Sequence, residues 1–600
     1  MRFSAGVLIC CVLGPWAHGQ PLVPPGETLD PPTPARLAAI ETAATAEGWD
    51  PLVAPLRAAA QRAYDRDRLA AAEAWLNVYR WARLWGTNQA DYVVNWIQRV
   101  TQERVNHPNM PTRYVMEQRP LGGWLSPELR AWLLGNPNFS EEFFSVLQPV
   151  DNVPATLGIL NDLYRDDPAR FARYAQLALA IAVVYDVPPP PDWPHPQVAP
   201  ALVPHAWPPP VEAFRWWARE DAAGRTFHRL AQLGADELKF VVDATASFDD
   251  LAWSEEVANY PLNQFARAYT MISYRRDRAA ANIGMWPGRS YALPEILGTG
   301  GICIDQAYFA AQAGKARGVP TLLFRGAGND GRHAWFGYLD GDDQWRLDAG
   351  RQGEQRFVTG FARDPQTWGV ISDHELKFLA ARFRARPTFQ QSRVHEDFAV
   401  DLLAAGDAAA AERAARKAVN YERRNAAAWE TLLAATAALG RDAKAREGVL
   451  GEAARAFARY PDLELVYVKR LADSLRARGQ VSLADHEEQR LARKYRGERD
   501  DLSVEQARTM LLRSMSTQSL REQIRSYDTA VDTYGRRAGL IFFDQVVVVF
   551  VDHLLQAGER TQAAKAVEHA RKALKAEAGG QLAGELDALA KYVKTFSRRE

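Results

Sequence analysis

Three residues of this sequence have the types and the order that nucleophilic thiol chemistry needs. Cys303 follows Gly300-Gly301 at the start of GGICIDQAYFAAQAGKARGVP, Gly300 to Pro320. His333 opens HAWFGYL, and Asp348 lies in DQWRLDAG, Asp343 to Gly350. A thiol attacks an amide carbonyl as the thiolate. An imidazole holds its proton and returns it to the leaving amine, and a carboxylate fixes the imidazole tautomer and stabilises its cation. Cys303, His333 and Asp348 are therefore the candidate catalytic set.

Each of them needs an element to hold it. Ile304, Ala307, Tyr308 and Ala311 recur at helical spacing, with Asp305 in the first turn and Gly318 and Pro320 as a stop. A helix therefore starts at or just before Cys303. There the unpaired backbone N–H groups and the helix dipole favour thiolate, and the N–H of Cys303 is a candidate oxyanion donor. The two glycines leave room for a substrate backbone, which makes Gly301 a candidate substrate contact. Trp286 and Tyr291 are near enough in sequence to supply a second donor. Trp286 and Trp335 complete the candidate substrate-binding residues.

TLLFRG, Thr321 to Gly326, reads as a strand, as do His333 to Leu339 and Asp343 to Gly350. Asp340-Gly341 between the last two is a hairpin turn signal. A two-residue turn there sets His333 directly opposite Asp348, Cβ atoms roughly 4.5–5.5 Å apart. A four-residue loop, Asp340 to Asp343, makes them diagonal neighbours on the same face. The other face would carry Ala334, Phe336, Tyr338, Trp345 and Leu347, an apolar set suited to a core.

These segments resemble the transglutaminase-like superfamily of the papain-like cysteine-enzyme fold. The shared pattern is a Gly-x-Cys-x-Asp helix start, a Gly-Val-Pro at the helix end, a His-x-Trp strand and a Trp…Asp strand. It covers Gly288 to Gln352. The resemblance implies Cys303 as nucleophile, His333 as base and Asp348 as orienting acid. Trp335 would be the aromatic beside the histidine and Trp345 the one before the aspartate. Ala349-Gly350 stand where proline and a hydroxyl residue are commoner in the family.

Other chemistries find no support in the sequence. GAGNDG, Gly326 to Gly331, leads into a strand, whereas a dinucleotide-binding glycine motif must open a helix. GTGG lacks the lysine of a phosphate loop, and DGDD lacks the spacing of a calcium loop. No cysteine pair or His-Glu-x-x-His offers a metal site, so no metal and no cofactor is expected. Lys+Arg and Asp+Glu are equal at 73 each among 600 residues, which points to neither nucleic acid nor an anionic membrane as partner.

The N-terminus, MRFSAGVLICCVLGPWAHGQ, has a basic residue, a short apolar run and a small-x-small site before Gln20. It reads as a secretory signal peptide over residues 1–19, hence a secreted or periplasmic protein. Of the three cysteines, at 10, 11 and 303, only Cys303 would remain. An exported chain with one unpaired thiol invites a chemical explanation.

Residues 20–186 read as an N-terminal helical domain, in which Trp75, Tyr79, Trp81 and Trp85 form a core stripe. Residues 187–211, VPPPPDWPHPQVAPALVPHAWPPPV, read as an extended, semi-rigid proline-rich linker. Residues 212–390 hold the transglutaminase-like domain with its preceding helices. Residues 391–600 are alanine-rich helical pairs broken at Gly-Asp or Gly-Arg, resembling tetratricopeptide-type repeats that form an α-solenoid. LIFFDQVVVVFVDHLL, Leu540 to Leu555, is too short and too charged for a membrane span and reads as a buried helix.

The expected fold class is mainly α with a central α+β domain, a papain-like helix-plus-antiparallel-sheet core between helical regions. The expected function is cysteine-dependent acyl transfer, by amide hydrolysis or transamidation, on a peptide or protein substrate, the cell envelope being one source. The helical repeats would bind a protein partner. The alternative is a non-enzymatic helical-repeat scaffold that binds proteins or peptides.

Overall fold

The computed structural model describes residues 21–103, 117–328, 330–342, 344–351, 359–495 and 499–596, with only the backbone of 101–103. The expected signal peptide lies outside them, as do Asp343 and Gln352. Two compact units are present, one of described residues through Arg165 and one of those from Asp166 onward.

The first unit is helical. Its helix Leu69–Gly86 buries Trp75, Tyr79, Trp81 and Trp85, and Trp81 stacks on Trp85 with ring centroids 5.0 Å apart. The stripe is core, as its spacing indicates.

The second unit begins earlier than the composition implies, and it includes the proline-rich stretch. Proline removes backbone donors and forbids helix, but the tryptophans among the prolines bring apolar area that is worth burying. Trp207 lies between Tyr185 and Trp368, with centroid distances of 5.0 and 6.0 Å, and donates its indole N–H to the Val187 carbonyl at 2.9 Å. Val187, Trp193, His195, Val198 and Val203 are all buried. Residues 187–211 are thus a wall of the central domain, and the expectation of a linker is corrected.

That domain is built on a five-stranded antiparallel sheet in the order β3-β2-β1-β4-β5. The strands are β1 (Thr321–Ala327), β2 (Arg332–Leu339), β3 (Trp345–Ala349), β4 (Phe361–Arg363) and β5 (Val370–Ser372). The helix Cys303–Ala316 packs on β1 and β2. It presents more than the single apolar face its periodicity indicates, because every residue from Ile304 to Ala316 is buried. Its polar residues are all bonded: Gln306 to the Ile272 carbonyl, Gln312 to the Thr245 and Ala246 N–H groups, and Lys315 to Asp243 and two carbonyls. Leaving such groups unpaired would cost roughly 1–3 kcal/mol each.

From Pro387 the chain is helical, and successive helices pack as neighbours. The expected breaks are present. Asp407 caps one helix by accepting the Ala410 N–H, and Asp442 caps another by accepting that of Ala445. The run Leu540–Leu555 belongs to the helix Leu520–Gln556, which is long and apolar enough to cross a bilayer by length and composition; most of its apolar window is buried inside the protein. Leu540, Phe542, Val546, Phe550 and Leu554 sit in the core of the C-terminal helices.

Candidate active site

The helix Leu293–Thr299 ends at Gly300, and the chain turns into Cys303 at the first position of the next helix. Asp305 organises the turn. Its carboxylate accepts the Ile302 N–H at 2.8 Å, the Tyr291 hydroxyl at 3.0 Å and the Arg278 guanidinium at 2.9 Å. Tyr291 is also bonded to His195 Nε2 at 2.8 Å, while the Gln197 N–H points to His195 Nδ1. His195 therefore carries its proton on Nε2 and donates it to Tyr291. Burial, with Arg325 adding to it, pushes the His195 pKa down to about 3, so this ring stays neutral.

Gly301 is required by this packing. A Cβ at residue 301 would lie 2.3 Å from the Asp305 Cβ. Gly301 also donates to the Ser273 carbonyl and accepts from the Arg275 N–H, forming a small parallel bridge. The glycine serves the helix start, and no substrate path is needed to explain it.

The Cys303 side chain is half-buried. Burial pushes its thiol pKa up, with a smaller upward push from the Asp305 carboxylate. The backbone N–H groups of Ala334, Ile304 and Cys303 itself point at the sulfur and favour thiolate. The helix start thus acts as expected, but desolvation outweighs it, and the expected lowering of the thiol pKa is corrected.

β2 brings His333 to the neighbouring position, because its successor Ala334 is the residue whose N–H meets the sulfur. His333 Nε2 lies 2.7 Å from the carbonyl oxygen of Gly350. A carbonyl only accepts, so Nε2 carries the proton and the ring's lone pair is on Nδ1. The Tyr269 hydroxyl is 3.5 Å from the same nitrogen and donates to the Ala334 carbonyl at 2.8 Å. Burial first, and the nearness of Cys303 second, hold the hydroxyls of Tyr269 and Tyr274 above the ordinary tyrosine range.

Asp348 is not the partner of His333. The hairpin pairs Leu339 with Trp345 and Tyr338 with Arg346, so its loop is longer than either turn considered above. Asp340 closes that loop by accepting the Asp342 and Gln344 N–H groups. A bulge between Phe336 and Tyr338 then shifts the register again. Asp348 falls on the Tyr338 side and is exposed, whereas His333 shares the side of Trp335. The acceptor that orients the imidazole is a backbone carbonyl two residues further along.

The two tryptophans expected to touch substrate are interior. Trp335 is fully buried, donates to the Leu347 carbonyl at 2.9 Å, and lies against Phe324 and the Arg351 guanidinium. Trp286 is buried, donates to the Ser290 carbonyl at 2.7 Å and packs on Tyr291. Trp286 and Tyr291 are thus both committed elsewhere, and neither is a second oxyanion donor. Trp345 packs on Phe240.

Cys303, His333 and Ala334 share the wall of one cavity of about 740 Å3. Tyr274, Ile283, Phe361 and Val370 also line it and are exposed. The C-terminal helices reach its rim: Arg332 pairs with Asp544 and Glu585 at 2.7 Å each, and Asp330 accepts the Leu582 N–H. Sequence reasoning missed His195, Tyr269, Arg278 and Gly350. His195, Tyr269 and Arg278 join the site through long-range packing, and Gly350 joins it through a backbone carbonyl that its residue type does not announce. Among the described residues, no group of His, Cys, Asp and Glu is arranged to hold a metal.

No protein-family model and no curated protein matches this chain.

Proposed function

We propose that the central domain is an exported cysteine-dependent acyl-transfer enzyme of transglutaminase-like, papain-like type, acting on peptide or protein amides. One observation carries this reading. The Cys303 thiol stands at a helix N-terminus against the N–H of Ala334, in a cavity whose wall also contains the oriented imidazole of His333. The substrate amide would enter the cavity. Because burial keeps the resting sulfur protonated, His333 Nδ1 would take the proton as the sulfur attacks the carbonyl carbon. The N–H groups of Cys303 and Ala334 would stabilise the oxyanion that forms as the S–C bond is made. The imidazolium would protonate the leaving amine, and water or a second amine would take the acyl group from the thioester. The exposed apolar side chains of the cavity suit a peptide.

The alternative, a non-enzymatic helical-repeat scaffold, is favoured by the upward shift of the thiol and by the exposure of Asp348 on the other side of the hairpin. The two readings separate on labelling with a thiol-directed peptide amide analogue. An enzyme is labelled at Cys303 in the folded state, and Cys303→Ala abolishes both labelling and turnover without loss of fold. A chain that labels no faster folded than unfolded is a scaffold.

A further inference from the structure

We propose that the cavity in front of Cys303 selects an acyl donor bearing a carboxylate, and that Arg325 is the residue that reads it. The inference rests on Cys303 being the reacting group and adds the chemistry of what reaches it.

Arg325 lies on β1 directly opposite Ala334, the residue bonded to the sulfur, and opposite Phe361 of β4 on its other side. Cross-strand partners share a face, so Arg325, Ala334 and Phe361 look the same way. Arg325 lines the cavity and is exposed to it.

The other cations of the wall are spent. Arg278 is bonded to buried Asp305, and Lys315 to buried Asp243. Arg332 is paired with Asp544 and Glu585, and Arg363 takes Asp192 with two bonds of 2.7 and 2.8 Å. Arg325 alone among these cations makes no hydrogen bond or ion pair among the described residues; it feels Asp192 and Arg363 only at longer range. His195, which it also faces, is neutral. The cavity thus carries one uncommitted guanidinium, on a residue whose backbone pairs with Ala334 on one side and with Phe361 on the other. A planar fork of donors is the group that matches a carboxylate. The source can be a chain terminus or an acidic side chain.

The test compares alkylation of Cys303 in the full chain by iodoacetate and by iodoacetamide, reagents that differ in charge, read by mass of the Cys303 peptide. In each, the S–C bond forms as iodide leaves. The ratio of iodoacetate to iodoacetamide rates should exceed that of the urea-unfolded chain by roughly 10-fold, the low end of electrostatic focusing, and fall as salt is added. Arg325→Gln should remove the excess and Arg325→Lys should keep most of it. Protection of Cys303 by N-acetylglycine over N-acetylglycinamide assigns the carboxylate to a chain end. Protection by N-acetylglutamate α-amide over N-acetylglutamine α-amide assigns it to a side chain. A folded-state ratio equal to the unfolded one, or unchanged by Arg325→Gln, overturns the inference while leaving a reactive Cys303 intact. If the thiol-directed peptide amide analogue labels Cys303 no faster in the folded than in the unfolded chain, the enzyme reading itself falls.

Discussion

His333 donates its Nε2 proton to the main-chain carbonyl of Gly350 at 2.7 Å. The same bond in a thiol triad would run to a carboxylate. A carbonyl fixes the tautomer equally well but offers a developing imidazolium a dipole in place of a full charge. Proton transfer must then be driven by the arrival of substrate, because burial holds the resting thiol in its protonated form.

Asp348 should matter little. It is exposed and lies on the Tyr338 side of the hairpin. Asp348→Ala should change the acylation rate of Cys303 by less than about fivefold, the scale of an exposed charge worth up to ~1 kcal/mol. His333→Gln should lower it about 10²- to 10⁴-fold. Single-turnover rates of the two variants check both statements, and a large loss in Asp348→Ala would restore the carboxylate to the mechanism.

Gly350 should be the sensitive position of that strand end. Its φ is +89°, and a Cβ would lie 2.6 Å from the Tyr269 ring. Gly350→Ala should displace both the carbonyl that holds His333 and the ring that faces it. Activity should drop well beyond the effect of Asp348→Ala, while circular dichroism of the helical remainder stays unchanged.

The pH dependence of Cys303 follows from burial. Its pKa is raised, so the protonated form is favoured in the folded chain. Stability from this group is fully present below the free-thiol value of roughly 8.5 and is lost as pH rises through the higher folded value. Iodoacetamide alkylation of native Cys303 should accordingly show a midpoint above that of the unfolded chain. A midpoint below it would mean that the helix N-terminus outweighs desolvation.

The Arg278–Asp305 pair should be structural. Both side chains are buried, and Asp305 also holds the Ile302 N–H and Tyr291. Asp305→Ala strands the guanidinium and should cost about 3–5 kcal/mol. Asp305→Asn, which keeps an acceptor for Ile302, should cost less. Urea unfolding followed by tryptophan fluorescence measures the difference.

What could be read in advance was local. The helix at Cys303, its stop at Gly318, β1 and β2 follow from periodicity and turn residues, and the C-terminal helical pairs follow from their Gly-Asp breaks. The register of β3 was not legible, because the loop closed by Asp340 and the bulge at Gly337 each shift pairing without changing composition. The same shift moved the orienting role from the side chain of Asp348 to the backbone of Gly350, which no residue type announces. The wall built by residues 187–211 was hidden because proline forbids regular structure but not burial. The pKa of Cys303 was hidden because dipole and desolvation oppose each other, and only packing decides between them.

The most direct measurement is acetyl transfer from p-nitrophenyl acetate to the native chain, with nitrophenolate release followed by absorbance and the acetylated peptide located by mass. The expected result is a nitrophenolate burst stoichiometric with the chain, a thioester on Cys303, and loss of both in Cys303→Ala. An acetyl group absent from Cys303, or formed there no faster than in the urea-unfolded chain, would contradict a catalytic thiol and leave a helical scaffold around an inert one.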